Sequence, residues 1–359
     1  MALAFTHDVP AARVIFAAGS TASLGSEVER LGATRALLVA GELEAELEAL
    51  LGQQLGAVLT ERFTDVVMHV PKEIADEATA LARAVKADVL VAVGGGSSIG
   101  MAKAIALTTG IPILAVPTTY AGSEMTPIWG LTQNGEKVTG RNLNVLPKTV
   151  VYDPELTRSL PVDLSMASGM NAIAHLIEGL YAPNVSPIST MQAQEGVRAL
   201  TAALPEVARE PMNLQARSEA LYGAWLAGWT LGTTGMGIHH KICHVLGGMF
   251  NLPHAQTHSA VLAYATAFNE EAAPVAMSQL REAFAQGGVQ EASAAASVWS
   301  LANAIGAPTS LSDVGFREDD VEVAARAVVA ANPVNPRPVE YEAVRELLEA
   351  ACQGGKPTL

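Results

Sequence analysis

Five of the eight histidines in this chain, His239, His240, His244, His254 and His258, fall inside one short stretch, GIHHKICHVLGGMFNLPHAQTH. Imidazole titrates near neutral pH and ligates metals through a neutral nitrogen, so such a group can move protons or hold a divalent ion. A helix beginning at about Gly237 puts His240 and His244 on one face, four residues apart; Gly247 and Gly248 then stop it before a turn that presents His254. Upstream, in SGMNAIAHLIEGLYAP, Asn171 and His175 have the same relation. Two such helices facing each other bring Asn171, His175, His240 and His254 to one point, with His244 beside them. That is the geometry of a metal site or of a proton-handling cleft. A single histidine on an apolar helix is ordinarily a hydrogen-bonded core residue, but two i, i+4 polar pairs and a Pro-His turn ask for more than that.

The elements that must position these residues form two groups. RVIFAAG (residues 13–19) reads as a strand, SLGSEVERLG as an amphipathic helix, and RALLVAG (residues 35–41) as an apolar strand suited to a parallel sheet buried on both faces. Residues 42–55 read as a helix, residues 66–70 as a further strand, and residues 73–86 as another amphipathic helix. DVLVAVGGGSSIGMAKAIAL then runs from a buried strand through Gly94, Gly95, Gly96 and Ser97 into a helix. Glycines at such a turn let backbone amides approach a phosphate, and the helix N-terminus adds partial positive charge. The next strand, IPILAVP, ends at Thr118 and Thr119 in PTTYAGSE, and ligands of open α/β sheets bind at such strand ends. From residue 161 onward the pattern is helical throughout. The expected division is a Rossmann-like dinucleotide-binding domain over residues 1–158 and an all-helical domain over residues 159–359 that carries the histidines.

Composition narrows the function classes. Half of the 359 residues are hydrophobic and only 16% are charged, which supplies buried cores and argues against disorder. The formal net charge of −14 disfavours nucleic acid and anionic membrane as partners. Cys243 and Cys352 are the only cysteines, too few for a disulfide framework, and they suit a reducing cytoplasm. No apolar run approaches the roughly 20 residues that span a bilayer, and the N-terminal stretch lacks a basic region before an apolar core. A cytoplasmic location is expected.

In their order, GGGSSIGMAK, PTTYAGSE, the Asn171/His175 helix, and His240 with His244 followed by PHAQTH resemble the iron-containing alcohol dehydrogenase superfamily over nearly the whole chain. SGMNAIAHLIEGLYAP, GIHHKICHVLGG and LPHAQTH look most like its maleylacetate reductase branch. The resemblance implies a Rossmann-like domain, a helical domain, a cleft between them, NADH or NADPH as cofactor, and a homodimer. It places Gly94, Gly95, Gly96, Ser97, Thr118, Thr119, Gly41 and Lys137 at the cofactor. Metal-dependent relatives bind iron or zinc through one Asp and three His, at positions that here hold Asn171, His175, His240 and His254. The carboxamide of Asn171 lacks the charge of a carboxylate, so no resident metal is expected. Gly100 stands where many relatives carry Asp, and Gly41 where several carry an acidic residue that would hold the adenosine ribose and repel a 2′-phosphate.

The activity implied is reduction of the carbon–carbon double bond of maleylacetate to 3-oxoadipate, within the breakdown of hydroxyquinol, resorcinol and chlorinated aromatics. Hydride adds at the far alkene carbon, charge moves to the ketone oxygen, and a donor is needed there. His240 or His244 could supply it; Lys241, His258 and Arg141 are candidate partners for the carboxylates of this small dicarboxylate. Two other readings stay open: a metal-dependent alcohol or aldehyde dehydrogenase of the same superfamily, and an NAD-dependent lyase of the dehydroquinate synthase type.

Overall fold

A computed structural model describes residues 5, 7, 12–43, 45–133 and 136–357. The chain divides into two compact units between Leu160 and Pro161, two residues beyond the expected boundary. His7 belongs with the second unit, its Nδ1 lying 3.0 Å from Oγ of Ser186.

The first unit holds β1 (Arg13–Phe16), α1 (Leu24–Arg30), β2 (Ala36–Val39), α2 (Ala45–Leu55), β3 (Leu59–Phe63), α3 (Lys72–Ala84), β4 (Val89–Gly94), α4 (Gly96–Thr109), β5 (Ile113–Pro117), β6 (Ile128–Gln133), β7 (Glu136–Arg141) and β8 (Thr149–Tyr152). Six strands form one sheet in the order β1-β8-β5-β4-β2-β3, with every pairing parallel. All residues of β2 and β5 and nearly all of β4 are buried, as continuous apolar strands in the middle of a helix-covered sheet must be. From β2 the chain moves outward to β3, whereas from β4 it moves the other way to β5. The neighbours β2 and β4 therefore flank the point where strand order reverses, and their carboxyl ends open the crevice in which such sheets bind ligands.

Residues 66–70 are not the expected strand. The edge strand is β3, LTERF, whose polar Thr, Glu and Arg tolerate the single-sided exposure of an edge. In VVMHV, His69 and Val70 instead take left-handed backbone, with φ of 65° and 49°, and Pro71, which has no amide hydrogen, ends the segment. Thr132 fixes this turn, its amide donating to Val70 O at 3.1 Å and its hydroxyl to His69 O at 2.8 Å. The antiparallel β6–β7 hairpin was also not foreseen; it pairs Thr132 with Lys137 and Ile128 with Arg141.

The second unit is helical throughout its described residues, as expected: α5 (Val162–Tyr181), α6 (Pro187–Arg209), α7 (Leu214–Thr233), α8 (Ile238–Phe250), α9 (His254–Asn269), α10 (Pro274–Gln286), α11 (Ala294–Ala304), α12 (Val321–Ala330) and α13 (Tyr341–Gln353). At its centre lies α5, buried without a break from Ser165 to Leu180. Close approach of α7 is possible because position 179 is glycine: a Cβ there would sit 2.2 Å from Cγ2 of Thr230. No helix among the described residues is long and apolar enough to cross a membrane.

Candidate functional site

In the sheet unit the glycine turn is built almost wholly of backbone. Gly94 has φ of 136°, and a Cβ on it would meet Oγ of Ser98 at 2.5 Å, so only glycine fits. Gly95 caps α4 without any side-chain hydrogen bond at that cap, leaving the first-turn amides for an anion. The loop after β5 lies against this turn. The Thr118 amide donates to Gly94 O at 3.1 Å, and a Cβ at Gly95 would come within 3.0 Å of Cγ2 of Thr119. Gly94 to Ser97 and Thr118 with Thr119 thus meet as the sequence suggested. Register places Gly41 beside them, since Val39 pairs with Ala92 and two residues further on each strand come Gly41 and Gly94. Space beside Gly41 is open, its nearest neighbour to a Cβ being Val66 at 3.9 Å.

Lys103, about two turns into α4, was not foreseen. Its ammonium is buried and donates to the carbonyls of Ser123 (2.6 Å), Thr126 (2.9 Å) and Ile128 (2.8 Å), so it pins the loop after β5 to the glycine-turn helix. Burial lowers its pKa to about 7, the charge of Arg141 pushes the same way, and Glu124 opposes both. The signal was a single charge in the otherwise apolar GMAKAIAL. Lys137 and Arg141 stand exposed on β7, four residues apart and hence on one face of the hairpin.

In the helical unit the histidines do converge. The rings of His175 on α5 and His240 on α8 stack with centroids 4.9 Å apart and planes 19° from parallel. His258 on α9 lies 4.9 Å from His240 and 4.4 Å from His254, and His244 is 6.3 Å from His240. Asn171 is buried one turn before His175, and its Oδ1, with Nδ1 of His175 and Nε2 of His240, has no hydrogen-bond partner among the described residues. A buried polar atom without a partner is costly, and several in one place mark a site made to meet a ligand. Lys241 follows His240 and so points about 100° away round the helix; it is half-buried and forms no ion pair among the described residues.

Two details of the helices differ from expectation. Gly247 and Gly248 do not stop α8, which runs on to Phe250 and ends at Asn251 with φ of 53°. Each glycine costs only about 1 kcal/mol in a helix, and Phe250 packs edge-on against Phe316 with centroids 5.2 Å apart. His254 opens α9 rather than sitting in a turn, which places it four residues from His258 on the same helix.

His258 cannot serve as the cationic carboxylate partner first assigned to it. It is fully buried, its Nδ1 lies 2.9 Å from Nε2 of His239, and burial, with the neighbouring rings of His254 and His239, holds its pKa well below 6.5. Burial does the same to His239 and His175. His239 and Glu178 are the residues that spacing did not reveal. Glu178 accepts from Nδ1 of His240 at 2.5 Å and from the amides of Gly237 and His239, each at 2.8 Å. Its only sequence signal was an acid three residues past His175, on the helix face that already carries Asn171 and His175.

The positions at which metal-dependent relatives hold an ion were tested against these donors. Among the described residues, one trio of His, Cys, Asp or Glu brings its donor atoms within 4.8 Å of one another, and it is His239, Cys243 and His258 rather than His175, His240 and His254. Two of that trio are already hydrogen-bonded to each other, and burial pushes the Cys243 thiol well above 9. With Asn171 neutral as well, the set lacks the carboxylate of the Asp-His-His-His arrangement.

Comparison with known proteins agrees with this architecture. Residues 11–154 match the iron-containing alcohol dehydrogenase model, and residues 165–352 match the C-terminal model of the same family. The maleylacetate reductase of Burkholderia cepacia is 48% identical over 356 residues, covering 99% of both chains. That of Pseudomonas sp. strain P51 is 47% identical, covering 98% of this chain and 99% of the relative. The crystal structure of maleylacetate reductase from Agrobacterium tumefaciens superposes with a TM-score of 0.94 at 44% identity, covering 99% of this chain and all of that one. The chain belongs to the iron-containing alcohol dehydrogenase family of oxidoreductases.

Proposed function

We propose that this protein is a maleylacetate reductase that uses NADH or NADPH. The observation that carries the reading is likeness to maleylacetate reductases at 47–48% identity across essentially the whole chain. The chemistry of the site supports it. When bound, the nicotinamide would supply hydride to the alkene carbon remote from the ketone; the π electrons would move to the ketone oxygen as an enolate, and a proton would then add to the carbon between them. NAD(P)⁺ and 3-oxoadipate leave. The glycine turn of the sheet unit holds the cofactor pyrophosphate. The histidine cluster of the helical unit supplies the group that meets the developing negative charge, with Nε2 of His240 and Nδ1 of His175 as the atoms without protein partners.

We propose further that the reaction needs no resident metal. Support comes from the donor set: a carboxamide replaces the one anionic ligand, so an ion held by the remaining neutral imidazoles would keep its full charge in a buried place. The alternative, a metal-dependent alcohol or aldehyde dehydrogenase, draws on the family's iron and on the three close donors His239, Cys243 and His258. Oxidation of NADH and of NADPH is to be followed with maleylacetate and with simple aldehydes, before and after exhaustive chelation. The expected result is turnover of maleylacetate that survives chelation; activity confined to aldehydes, or lost with the metal, replaces this reading by the alternative. The variant Asn171→Asp, which restores a carboxylate, is expected to purify with more zinc or iron than wild type, measured as metal content.

A further inference from the structure

Glu178 is 2% exposed and sits on α5 three residues past His175. One of its oxygens accepts from Nδ1 of His240 at 2.5 Å and from the Gly237 amide at 2.8 Å, and the other accepts from the His239 amide at 2.8 Å. These bonds fasten the first turn of α8 to α5 and hold the His240 ring at its Nδ1 edge, while His175 stacks on its face. With Nδ1 engaged, Nε2 is the nitrogen left to meet a substrate, and it is buried without a protein partner.

We infer that Glu178 is a positioning residue: its carboxylate accepts the Nδ1 proton of His240 and fixes the ring plane, so that Nε2, carrying the ring's second proton, donates to the enolate oxygen. The inference rests on the reductase reading of the site and goes beyond it in naming which ring meets the enolate and what holds that ring. A carboxylate bound to the far nitrogen of a working histidine sets both ring orientation and the nitrogen that carries the proton. Other groups crowd His240 without doing this: His175 stacks on its face, and His239, His244 and His258 pair with it in T-shaped geometry at 5.3, 6.3 and 4.9 Å.

The test compares wild type, Glu178→Gln, His240→Ala and the double variant in the full chain. A role exercised through His240 predicts that Glu178→Gln lowers kcat about tenfold or more while the KM for NADH stays unchanged. In the His240→Ala background the same change is expected to add less than about twofold. A Glu178→Gln enzyme within about twofold of wild type, or a loss of equal size in both backgrounds, overturns the inference. A second readout does not depend on turnover or on the folding of Glu178→Gln. Proton NMR of wild type is expected to show a downfield imidazole N–H resonance from the buried hydrogen bond of His240 Nδ1 to Glu178, lost in His240→Asn. Its absence from wild type overturns the positioning role outright. A protein that shows the resonance but does not reduce maleylacetate overturns the reductase reading, and with it the assignment to an enolate.

Discussion

The glycine turn and the histidine cluster solve opposite problems with opposite materials. The turn between β4 and α4 offers backbone amides, and its residues are defined by what they lack: a Cβ at Gly94 or Gly95 would collide with Ser98 or Thr119. The cluster on α5, α8 and α9 is made of side chains, packed so tightly that His175, His239 and His258 are all held well below 6.5 by burial. A backbone site can be specific for a phosphate yet indifferent to chemistry, because amides neither titrate nor react. A side-chain site can do chemistry, but each buried imidazole must be held by another residue or it costs stability. Damage to the first should therefore appear in cofactor affinity, and damage to the second in turnover and in the acid limit of folding.

The largest separation is expected from His240→Ala. General acid–base groups contribute about 10²- to 10⁴-fold, so kcat should fall by that order while NADH affinity, measured by fluorescence titration, stays put. A variant that turns over normally would show the ring to be structural. Next comes the pH dependence of folding. The folded values of His175, His239 and His258 lie below the 6.5 of the free side chain, so in acid the unfolded chain binds protons that the folded chain does not. Stability should therefore be full above about pH 6.5 and fall as pH drops below it, by at most about 4 kcal/mol per pH unit for three rings. Urea unfolding between pH 7 and pH 5, about the span in which free histidine titrates, checks this; a flat profile would mean that the rings are charged when folded.

The complementary change is Gly95→Val. A Cβ at this position already presses on Thr119, and a branched side chain also covers the first-turn amides of α4. NADH binding should weaken by about tenfold or more, near 1.4 kcal/mol, with kcat at saturating cofactor little altered. If kcat falls instead and affinity holds, the division of labour between the two sites is wrong.

The two sites were also unequally legible. Gly94, Gly95 and Gly96 announce themselves because a backbone site is written in consecutive residues, and the strand–turn–helix around them follows from local periodicity. The i, i+4 pairs gave half of the second site for the same reason. Glu178 was missed because its role exists only where α5 meets α8, and His239, although one of the five clustered histidines, was given no role because its ring partner His258 lies on α9; neither contact is encoded in a single helix. The same holds for Lys103, whose acceptors lie 20 or more residues away on the loop after β5. The error at residues 66–70 was of another kind. A short, mostly apolar run suggested a strand, but the edge of the sheet was taken by the more polar β3, and VVMHV was bent into left-handed backbone that packs Val70 against Gly100.

The smallest expected effect tests the seam between glycine and side chain within the cofactor site itself. Gly41 lies level with Gly94 at the carboxyl end of β2, at the place where a sheet of this kind meets the adenosine ribose. Among the described residues a Cβ there would meet only Val66, at 3.9 Å, so a larger residue can be accommodated. Without an acid to repel a 2′-phosphate, NADH and NADPH should both serve. Gly41→Asp adds a carboxylate that can accept from a ribose hydroxyl but repels a phosphate, so the ratio of kcat/KM for NADH over NADPH should rise by about fivefold to tenfold, near 1 kcal/mol of discrimination. The rise should come from a loss with NADPH more than from a gain with NADH, because repulsion of a dianion outweighs one partly solvated hydrogen bond. An unchanged ratio in a folded variant places the adenosine elsewhere, and the crevice between β2 and β4 would then not be the cofactor site.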